Sequence, residues 1–194
     1  MISDCTALIL TGGNSRRMGQ DKANLMLGDR SLLLHVATTL RPLFTDIIVS
    51  VRQPRTGCDF RQVCDNPEHA GPLAGLAAGL AQVHTPWVFA VACDMPFITA
   101  QLIEHLANFR AGFDAVVPVV GGHPQPMAAF YATHSLGTLR EILEGNEPHS
   151  LRALLARLQV RYVNENEIQT QDLNSFFDLD TPEDVALAAN RRSR

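Results

Sequence analysis

The segment from Leu10 to Lys22 concentrates glycines and basic side chains directly after an apolar run. It reads LTGGNSRRMGQDK and follows the apolar residues 7–10. Glycines allow backbone N–H groups to approach a phosphate closely, and the side chains of Arg16, Arg17 and Lys22 would surround that phosphate with positive charge. The segment therefore predicts a polyphosphate-binding loop at the carboxyl end of a strand.

The spacing of these glycines does not match the two common phosphate-binding motifs. A Walker A loop requires G-x-x-x-x-G-K-[ST], whereas Gly13 and Gly19 are six positions apart and Gln-Asp precedes the lysine. The adjacent pair Gly12-Gly13 does not supply the G-x-G-x-x-G of dinucleotide-binding proteins. An ordinary strand-to-helix turn with a solvated basic face is the alternative interpretation.

A second segment, Ala90 to Pro96, places the carboxylate of Asp94 just beyond an apolar strand. Pro96 ends the hydrogen-bond ladder, and we expect an exposed turn there. A carboxylate opposite a triphosphate is suited to Mg²⁺, which binds few protein carboxylates together with phosphate oxygens. Asp94 is therefore predicted to bind Mg²⁺, with a turn or a cap for the next helix as its alternative role.

Further polar residues are candidates with open alternatives. Asp178 and Asp180 alternate along the chain, and either could add a metal contact or stabilise the start of the following helix. Asp65 follows another short strand and could reach a ribose hydroxyl or the base, or only form a turn. His123 and Gln125 could position a second substrate or be ordinary loop residues. The group of His149, Ser150 and Arg152 could contact a phosphate at a helix start or be an ordinary surface group.

Composition narrows the function classes. A formal net charge of −4 provides no basic surplus, so nucleic acid is not expected as a partner. No signal peptide or membrane span is expected, and the scattered Cys5, Cys58, Cys64 and Cys93 favour reduced thiols in a cytoplasmic protein. No nucleophile–base pair stands out, whereas basic residues, a metal-binding carboxylate and a glycine loop favour phosphoryl or nucleotidyl transfer.

Short apolar runs alternate with longer helical patterns, which predicts a three-layer α/β domain with a mostly parallel sheet. Ligands in such sheets bind beyond the carboxyl ends of the strands. We expect one domain over residues 1–190 and a disordered basic tail over 191–194. Predicted strands are 7–10, 47–51, 88–92, 115–120, 127–131 and 160–163; predicted helices are 31–40, 72–83, 100–109, 135–143, 150–158 and 182–189.

Glycines recur at every fourth position along the predicted helix over 72–83, at Gly71, Gly75 and Gly79. They therefore share one face. Gly79 is interpreted as a packing residue, because it lies far from the helix start. Gly71 and Gly75 could both pack against the sheet and approach a ligand.

The segment from Leu10 to Lys22 resembles the signature of the nucleotidyltransferases that act on the molybdenum cofactor. The chain is similar to the molybdenum cofactor guanylyltransferase (MobA) family, within the MobA-like nucleotidyltransferases. Four further matches follow in the order of the family and reach across nearly the whole chain: Gly71-Pro-Leu-Ala-Gly75, Cys93-Asp-Met-Pro96, Gln125-Pro126 and Asp180-Thr-Pro-Glu-Asp184.

This resemblance implies a Rossmann-like nucleotidyltransferase fold and a Mg²⁺-dependent enzyme. The enzyme would join GTP and molybdopterin into the guanine dinucleotide form of the cofactor and release pyrophosphate. Molybdoenzyme maturation proteins are implied as partners. The implied catalytic residues are Arg16, Lys22 and Asp94, and the implied metal ligands are Asp94 and, as a second contact, Asp180. The implied nucleotide contacts are Leu10, Thr11, Gly12, Gly13, Arg17, Lys22, Ser50, Asp65 and Asp94. The implied pterin contacts are His123, Gln125, His149 and Arg152.

Several positions depart from the family pattern. Thr11 stands where alanine is usual, and Ser50 stands where a related enzyme has asparagine, so that a longer amide contact is shortened or lost. Asp178 and Asp180 stand where asparagines often occur. Gly12 lacks a Cβ where cytidylyltransferase relatives have Ala-Gly, which favours the larger base, guanine.

Three alternatives to guanylyl transfer stay open. Cytidylyl transfer to molybdopterin is the first, and nucleotidyl transfer to another phosphorylated acceptor is the second. The third is a nucleotide-binding module without catalysis. Arg16, Lys22 and Asp94 together argue against this module, because binding alone does not require all three.

Overall fold

The computed structural model describes residues 1–11, 22–66, 68–69, 71–179, 184 and 188. Two of the predicted functional regions lie outside the described residues. These are the centre of the glycine-rich segment, residues 12–21, and Asp180. Strand Cys5–Leu10 precedes the first region and Lys22 follows it, and the 3₁₀ segment Thr170–Phe176 precedes Asp180.

The described elements alternate between strand and helix, as the sequence predicts. The strands are β1 (Cys5–Leu10), β2 (Met26–Leu27), β3 (Arg30–Ser31), β4 (Ile47–Val51), β5 (Arg61–Cys64), β6 (Trp87–Ala92), β7 (Ala115–Val120), β8 (His123–Pro124), β9 (Ala128–Ala132) and β10 (Val160–Asn164). The helices are α1 (Leu32–Leu40), α2 (Pro72–Leu80), α3 (Ala100–Ala107), α4 (Leu136–Glu144) and α5 (Leu151–Arg157).

Eight of these strands form one sheet, in the order β10-β7-β9-β6-β1-β4-β5 with β8 paired to β7. The pairs β1–β4, β1–β6, β4–β5 and β7–β10 are parallel. Only β8 and β9 pair antiparallel with their neighbours in this sheet. The mostly parallel sheet is thus confirmed, and the carboxyl ends of β1, β4, β5, β6 and β7 share one edge.

Both faces of the sheet are covered by helices, which confirms the three-layer architecture. Alternate residues of a strand point to opposite faces: Ile9 and Phe89 lie in the cluster with α1 and α3, and Leu8 and Val88 in the cluster with α2, α4 and α5. All four are completely buried. Burial of such a side chain stabilises the fold by about 1.5–3 kcal/mol, which explains the nearly continuous apolar strands.

Three helices begin at side-chain caps. The hydroxyls of Ser31, Thr99 and Ser150 accept hydrogen bonds from backbone N–H groups three residues later, at the starts of α1, α3 and α5. The helices predicted from Ser31 and Ser150 therefore exist, with those serines as caps rather than first helical residues. The α2 helix ends at Leu80, three residues earlier than predicted.

Two of the segments that the sequence does not predict lie close to the site. The first is the short hairpin β2–β3, and the second is the 3₁₀ segment Thr170–Phe176. A small apolar cluster of Leu27, Leu32 and Leu179 packs the hairpin against the segment that follows the 3₁₀ helix. This packing brings Leu179 to the residues that follow β6, at the carboxyl ends of the strands. Asp184 and Ala188 are helical, at positions within the predicted C-terminal helix.

The four cysteines form no disulfide bond. Burial raises the pKa of the Cys5 thiol well above its usual range, as expected for a small core residue. Across the described ranges, every helix is too short or too polar to span a membrane.

Candidate active site

Strand register brings the ends of β4, β1 and β6 to one level. Leu10, the last residue of β1, is paired with Ser50 on one side and with Ala92 on the other. Adjacent strands are about 4.8 Å apart, so the chain segments that leave these three strands start side by side. The chain therefore leaves β1, β4 and β6 at one edge of the sheet, as predicted.

Lys22 and Asp94 form an ion pair at this edge. Lys22 Nζ lies 2.8 Å from Asp94 Oδ2, and the side chains are 16% and 18% exposed. The two residues are separated by 72 positions in the chain and meet because one ends the glycine-rich segment and the other follows β6. The structure thus joins two of the three predicted catalytic residues. The third, Arg16, lies outside the described residues.

Asp94 is a partly exposed residue in a turn whose neighbouring residues are buried. Cys93, Met95 and Pro96 are buried, so the exposed turn expected at Pro96 is wrong. The reason is that the 177–179 segment packs there: the Leu179 N–H donates to the Asp94 carbonyl oxygen at 3.0 Å. The turn is fixed on both sides, and the Asp94 carboxylate is the part of it that reaches the edge.

Thr11 extends the pairing of β1 with β4 beyond the last strand residue. Its N–H donates to the Ser50 carbonyl oxygen at 3.2 Å, and its hydroxyl donates to the same oxygen at 2.6 Å. The side chain at this position is therefore engaged with the protein, which alanine at the same position would not be. The backbone of Thr11 is fixed where the glycine-rich segment begins.

Ser50 and Asp65 form a buried hydrogen bond one strand further along. Ser50 Oγ donates to Asp65 Oδ1 at 2.5 Å, and the residues are 0% and 8% exposed. Gly75 of α2 lies directly over this pair, since a Cβ there would be 2.6 Å from Ser50 Oγ. The expectation that Ser50 contacts the nucleotide does not fit this geometry, because α2 covers its side chain.

Opposing effects act on the pKa of Asp65. Burial raises the pKa of this carboxyl above its ordinary value, while the hydrogen bond from Ser50 and the positive charge of Arg52 act in the opposite direction. Burial has the largest effect, so the net direction is upward. The hydrogen bond from Ser50 therefore favours the ionised form of Asp65, which burial disfavours.

The loop with His123 and Gln125 lies beside Asp94. The Gln125 N–H donates to the Pro118 carbonyl oxygen at 2.8 Å, and the Ala92 N–H donates to the Met127 carbonyl oxygen at 2.9 Å. Residues 125–127 thus adjoin the end of β6, on the side of Asp94 away from Ser50. Gln125 is half-buried and His123 is exposed.

His149 lies with the residues that follow β5. Its ring contacts the His69 ring edge to face, with centroids 5.5 Å apart. His69 belongs to the same loop as Asp65, so His149 is on the Asp65 side of the edge and apart from His123. Arg152 is exposed on α5. The four predicted pterin contacts therefore do not form one group.

Two features of the site escaped the sequence-based predictions. One is His69, for which the position of its loop between β5 and α2 at the ligand edge was an available signal. The other is the backbone contact of Leu179 with Asp94, which no local pattern indicates. Of the remaining predicted residues, Gly12, Gly13, Arg17 and Asp180 lie outside the described residues, and Leu10 is buried at the end of β1.

The donor chemistry of this edge fits a hard divalent cation that is shared with a phosphate. In the described part of the chain, no three His, Cys, Asp or Glu residues come together as a metal site. Asp94 supplies a partly exposed carboxylate beside the basic Lys22. Mg²⁺ tolerates such a site because substrate phosphates and water complete its octahedral shell.

Comparisons with known proteins agree with this geometry. Residues 7–162 match the MobA-like NTP transferase domain family. A protein of Pelotomaculum thermopropionicum named "Probable molybdenum cofactor guanylyltransferase" is 35% identical over 94% of this chain and 91% of its own length. The crystal structure of molybdopterin-guanine dinucleotide biosynthesis protein A from Archaeoglobus fulgidus superposes with a TM-score of 0.83 at 29% identity, covering 97% of this chain and 98% of that one.

A more distant structure shares the fold alone. The 2-C-methyl-D-erythritol 4-phosphate cytidylyltransferase of Thermus thermophilus gives a TM-score of 0.71 at 20% identity, over 97% of this chain and 98% of that chain. The fold therefore does not by itself select a base or an acceptor. Residues 7–162 match the family model, and Lys22 and Asp94 meet at the edge of the sheet. This chain therefore belongs to the molybdenum cofactor guanylyltransferase family of MobA-like NTP transferases.

Proposed function

We propose that this protein transfers GMP from GTP to molybdopterin and releases pyrophosphate. The ion pair between Lys22 and Asp94 carries the proposal, because it places a cation and a metal-type carboxylate together at the strand edge where the glycine-rich segment begins and ends. The names of the relatives supply the substrate class. The overall reaction exchanges one phosphoanhydride bond for another.

In the reaction, an oxygen of the molybdopterin phosphate attacks the α-phosphorus of GTP. A new P–O–P bond forms, and the bond from the α-phosphorus to the β-phosphate oxygen breaks. The leaving pyrophosphate takes the electron pair of that bond. Catalysis of this kind consists mainly of positioning and of neutralising the charge on phosphate oxygens. Lys22 supplies a fixed positive charge for that purpose.

We infer that Asp94 would hold Mg²⁺. When bound, Mg²⁺ supplies charge neutralisation at the phosphates. Binding of the nucleotide with its metal would separate the ion pair: the triphosphate competes with Asp94 for Lys22, while the cation competes with Lys22 for Asp94. Two new charge contacts then replace one, so metal and triphosphate are expected to bind cooperatively.

The two sides of Asp94 suggest a division of the site. Thr11 and Asp65 lie on the β1–β4–β5 side, which we assign to the nucleotide. The loop with His123 and Gln125 adjoins the end of β6 on the other side, which we assign to the pterin. His149 contacts His69 beside Asp65, so its assignment to the pterin is withdrawn in favour of the nucleotide side.

Guanine is proposed as the base because Gly12 lacks a Cβ. The test is pyrophosphate release from GTP, CTP and ATP with Mg²⁺ and molybdopterin. Release from GTP alone is expected; preferential release from CTP would make the protein a cytidylyltransferase. Normal GTP binding without release would support a nucleotide-binding module instead. A cytoplasmic location and delivery of the product to molybdoenzyme maturation proteins complete the proposal.

A further inference from the structure

A continuous series of hydrogen bonds joins three strand ends in the site. Thr11 donates twice to the carbonyl oxygen of Ser50, the Ser50 hydroxyl donates to Asp65, and the Asp65 N–H donates to Val51 O at 3.0 Å. The strands β1, β4 and β5 are thereby locked together at the level where the glycine-rich segment begins. Ser50 is the centre of this series.

Ser50 itself is placed where it cannot touch a ligand. It is completely buried, and Gly75 of α2 covers its hydroxyl. The hydroxyl is directed at a carboxylate at a short distance, 2.5 Å, which is typical of a charge-assisted O–H···O⁻ bond. The contribution of Ser50 to the site must therefore pass through Asp65.

The Asp65 carboxylate is only partly satisfied by this bond. A carboxylate can accept about four hydrogen bonds on its two oxygens, and Ser50 uses one of them, on Oδ1. Gly75 of α2 faces the same oxygen, since a Cβ there would be 3.5 Å from Asp65 Oδ1, and it contributes no polar side chain. The charged group that acts on the carboxylate is Arg52 after β4.

We propose that Ser50 is a positioning residue that fixes one oxygen of Asp65 and leaves the other as the acceptor for a donor group of the nucleotide. This inference rests on the proposed function, since the nucleotide is the ligand. The donor is the 2-amino group of guanine or an O–H of the ribose, and both present the same hydrogen-bonding chemistry to a carboxylate.

The bond from Ser50 also favours the charged form of Asp65. Burial already makes ionisation of this carboxyl unfavourable, and the serine hydroxyl lowers its pKa in opposition. Loss of the hydroxyl would raise the pKa further. Protonation would then remove the acceptor at a higher pH than in the wild type, so GTP binding would also fail at a higher pH. A purely structural role of Ser50 would not shift the pH dependence of GTP binding.

The test compares Ser50→Ala with the wild type in equilibrium binding of Mg²⁺-GTP and in steady-state kinetics. We expect Kd and KM for GTP to rise roughly tenfold, which corresponds to the free energy of one charge-assisted hydrogen bond. The change in kcat should be much smaller. The pH below which GTP binding fails should move upward by about one pH unit.

A matched control is Thr99→Ala. Thr99 Oγ1 donates to the buried Asp172 at 2.6 Å, which is also a hydroxyl–carboxylate pair, on the opposite face of the sheet. This variant should lose stability without changing Kd for GTP or its pH dependence. If Ser50→Ala behaves in the same way as this control, Ser50 is only structural and the proposal is wrong.

Two nucleotide analogues identify the donor. ITP lacks the 2-amino group of guanine, and 2′,3′-dideoxy-GTP lacks both ribose hydroxyls. If the base is the donor, Ser50→Ala should reduce the preference for GTP over ITP; if the ribose is, it should reduce the preference over the dideoxy analogue. Unchanged discrimination in both comparisons contradicts the proposal. A wild type that binds another triphosphate and not GTP contradicts the proposed function instead, and the same comparison of Ser50→Ala is then made with that triphosphate.

Discussion

Two glycines of α2, one turn apart, provide a test of how the helix supports the site. At Gly79 a Cβ would lie 2.4 Å from Leu8 Cδ2, in the apolar core. At Gly75 it would lie 2.6 Å from Ser50 Oγ and 3.5 Å from Asp65 Oδ1. The same substitution, Gly→Ala, therefore presses on packing at one position and on the Ser50–Asp65 hydrogen bond at the other.

The expected magnitudes follow from these contacts. Alanine is favoured over glycine in a helix interior by about 1 kcal/mol, and overpacking of a core costs about 1–3 kcal/mol. Gly79→Ala should therefore lower the free energy of unfolding by about 0–2 kcal/mol. Gly75→Ala should also break the buried hydrogen bond, which adds about 1–3 kcal/mol and gives a total of about 1–5 kcal/mol.

The two variants should differ more clearly in function than in stability. Urea unfolding measures the free energy of unfolding, and pyrophosphate release at varied GTP concentration measures KM and kcat. We expect Gly75→Ala to raise KM for GTP roughly tenfold and Gly79→Ala to leave it unchanged. A Gly75→Ala protein that is as stable as the wild type and keeps its KM would refute the reasoning, because the helix would then not constrain the hydrogen bond.

The remaining predictions concern the ion pair, the base and a surface carboxylate. Asp94→Ala should abolish turnover with the fold retained by circular dichroism, and Lys22→Ala should weaken GTP binding; full activity in either variant removes the role assigned to that residue. GTP with Mg²⁺ at 100 times its Kd should stabilise the protein by about 2.7 kcal/mol in a thermal-shift assay, and larger stabilisation by CTP would overturn the choice of base. His134 donates to Asp114 at 2.7 Å and lowers the pKa of that carboxyl, so its stabilising effect is present above the ordinary value of 3.8 and lost as the pH falls through the lower folded value. His134→Ala should therefore be less stable than the wild type in urea at about pH 5, and an equal deficit at about pH 2 would contradict this origin.

Much of the fold could be predicted from the sequence because the parallel sheet imposes a strong pattern. Both faces of β1 and β6 are buried, so residues 7–10 and 88–92 are apolar without interruption. The carboxyl ends of parallel strands lie at one edge of the sheet, and that rule alone predicts that Asp94 and the glycine-rich segment begin at the same edge. The helices predicted from Ser31 and Ser150 also exist, and the structure shows that both serines cap them.

The hydrogen bond between Ser50 and Asp65 could not be predicted in the same way, because it depends on how β4 and β5 are aligned. Ser50 lies opposite Val63 in the parallel register. A slip by one residue would turn the Ser50 side chain to the other face, away from α2 and from Asp65. Residue type alone does not fix that register. From the sequence, a serine in place of asparagine is therefore interpreted as a shortened ligand contact. Only the position of Gly75 over the hydroxyl shows that the serine acts inside the protein, on the carboxylate that the nucleotide is proposed to meet.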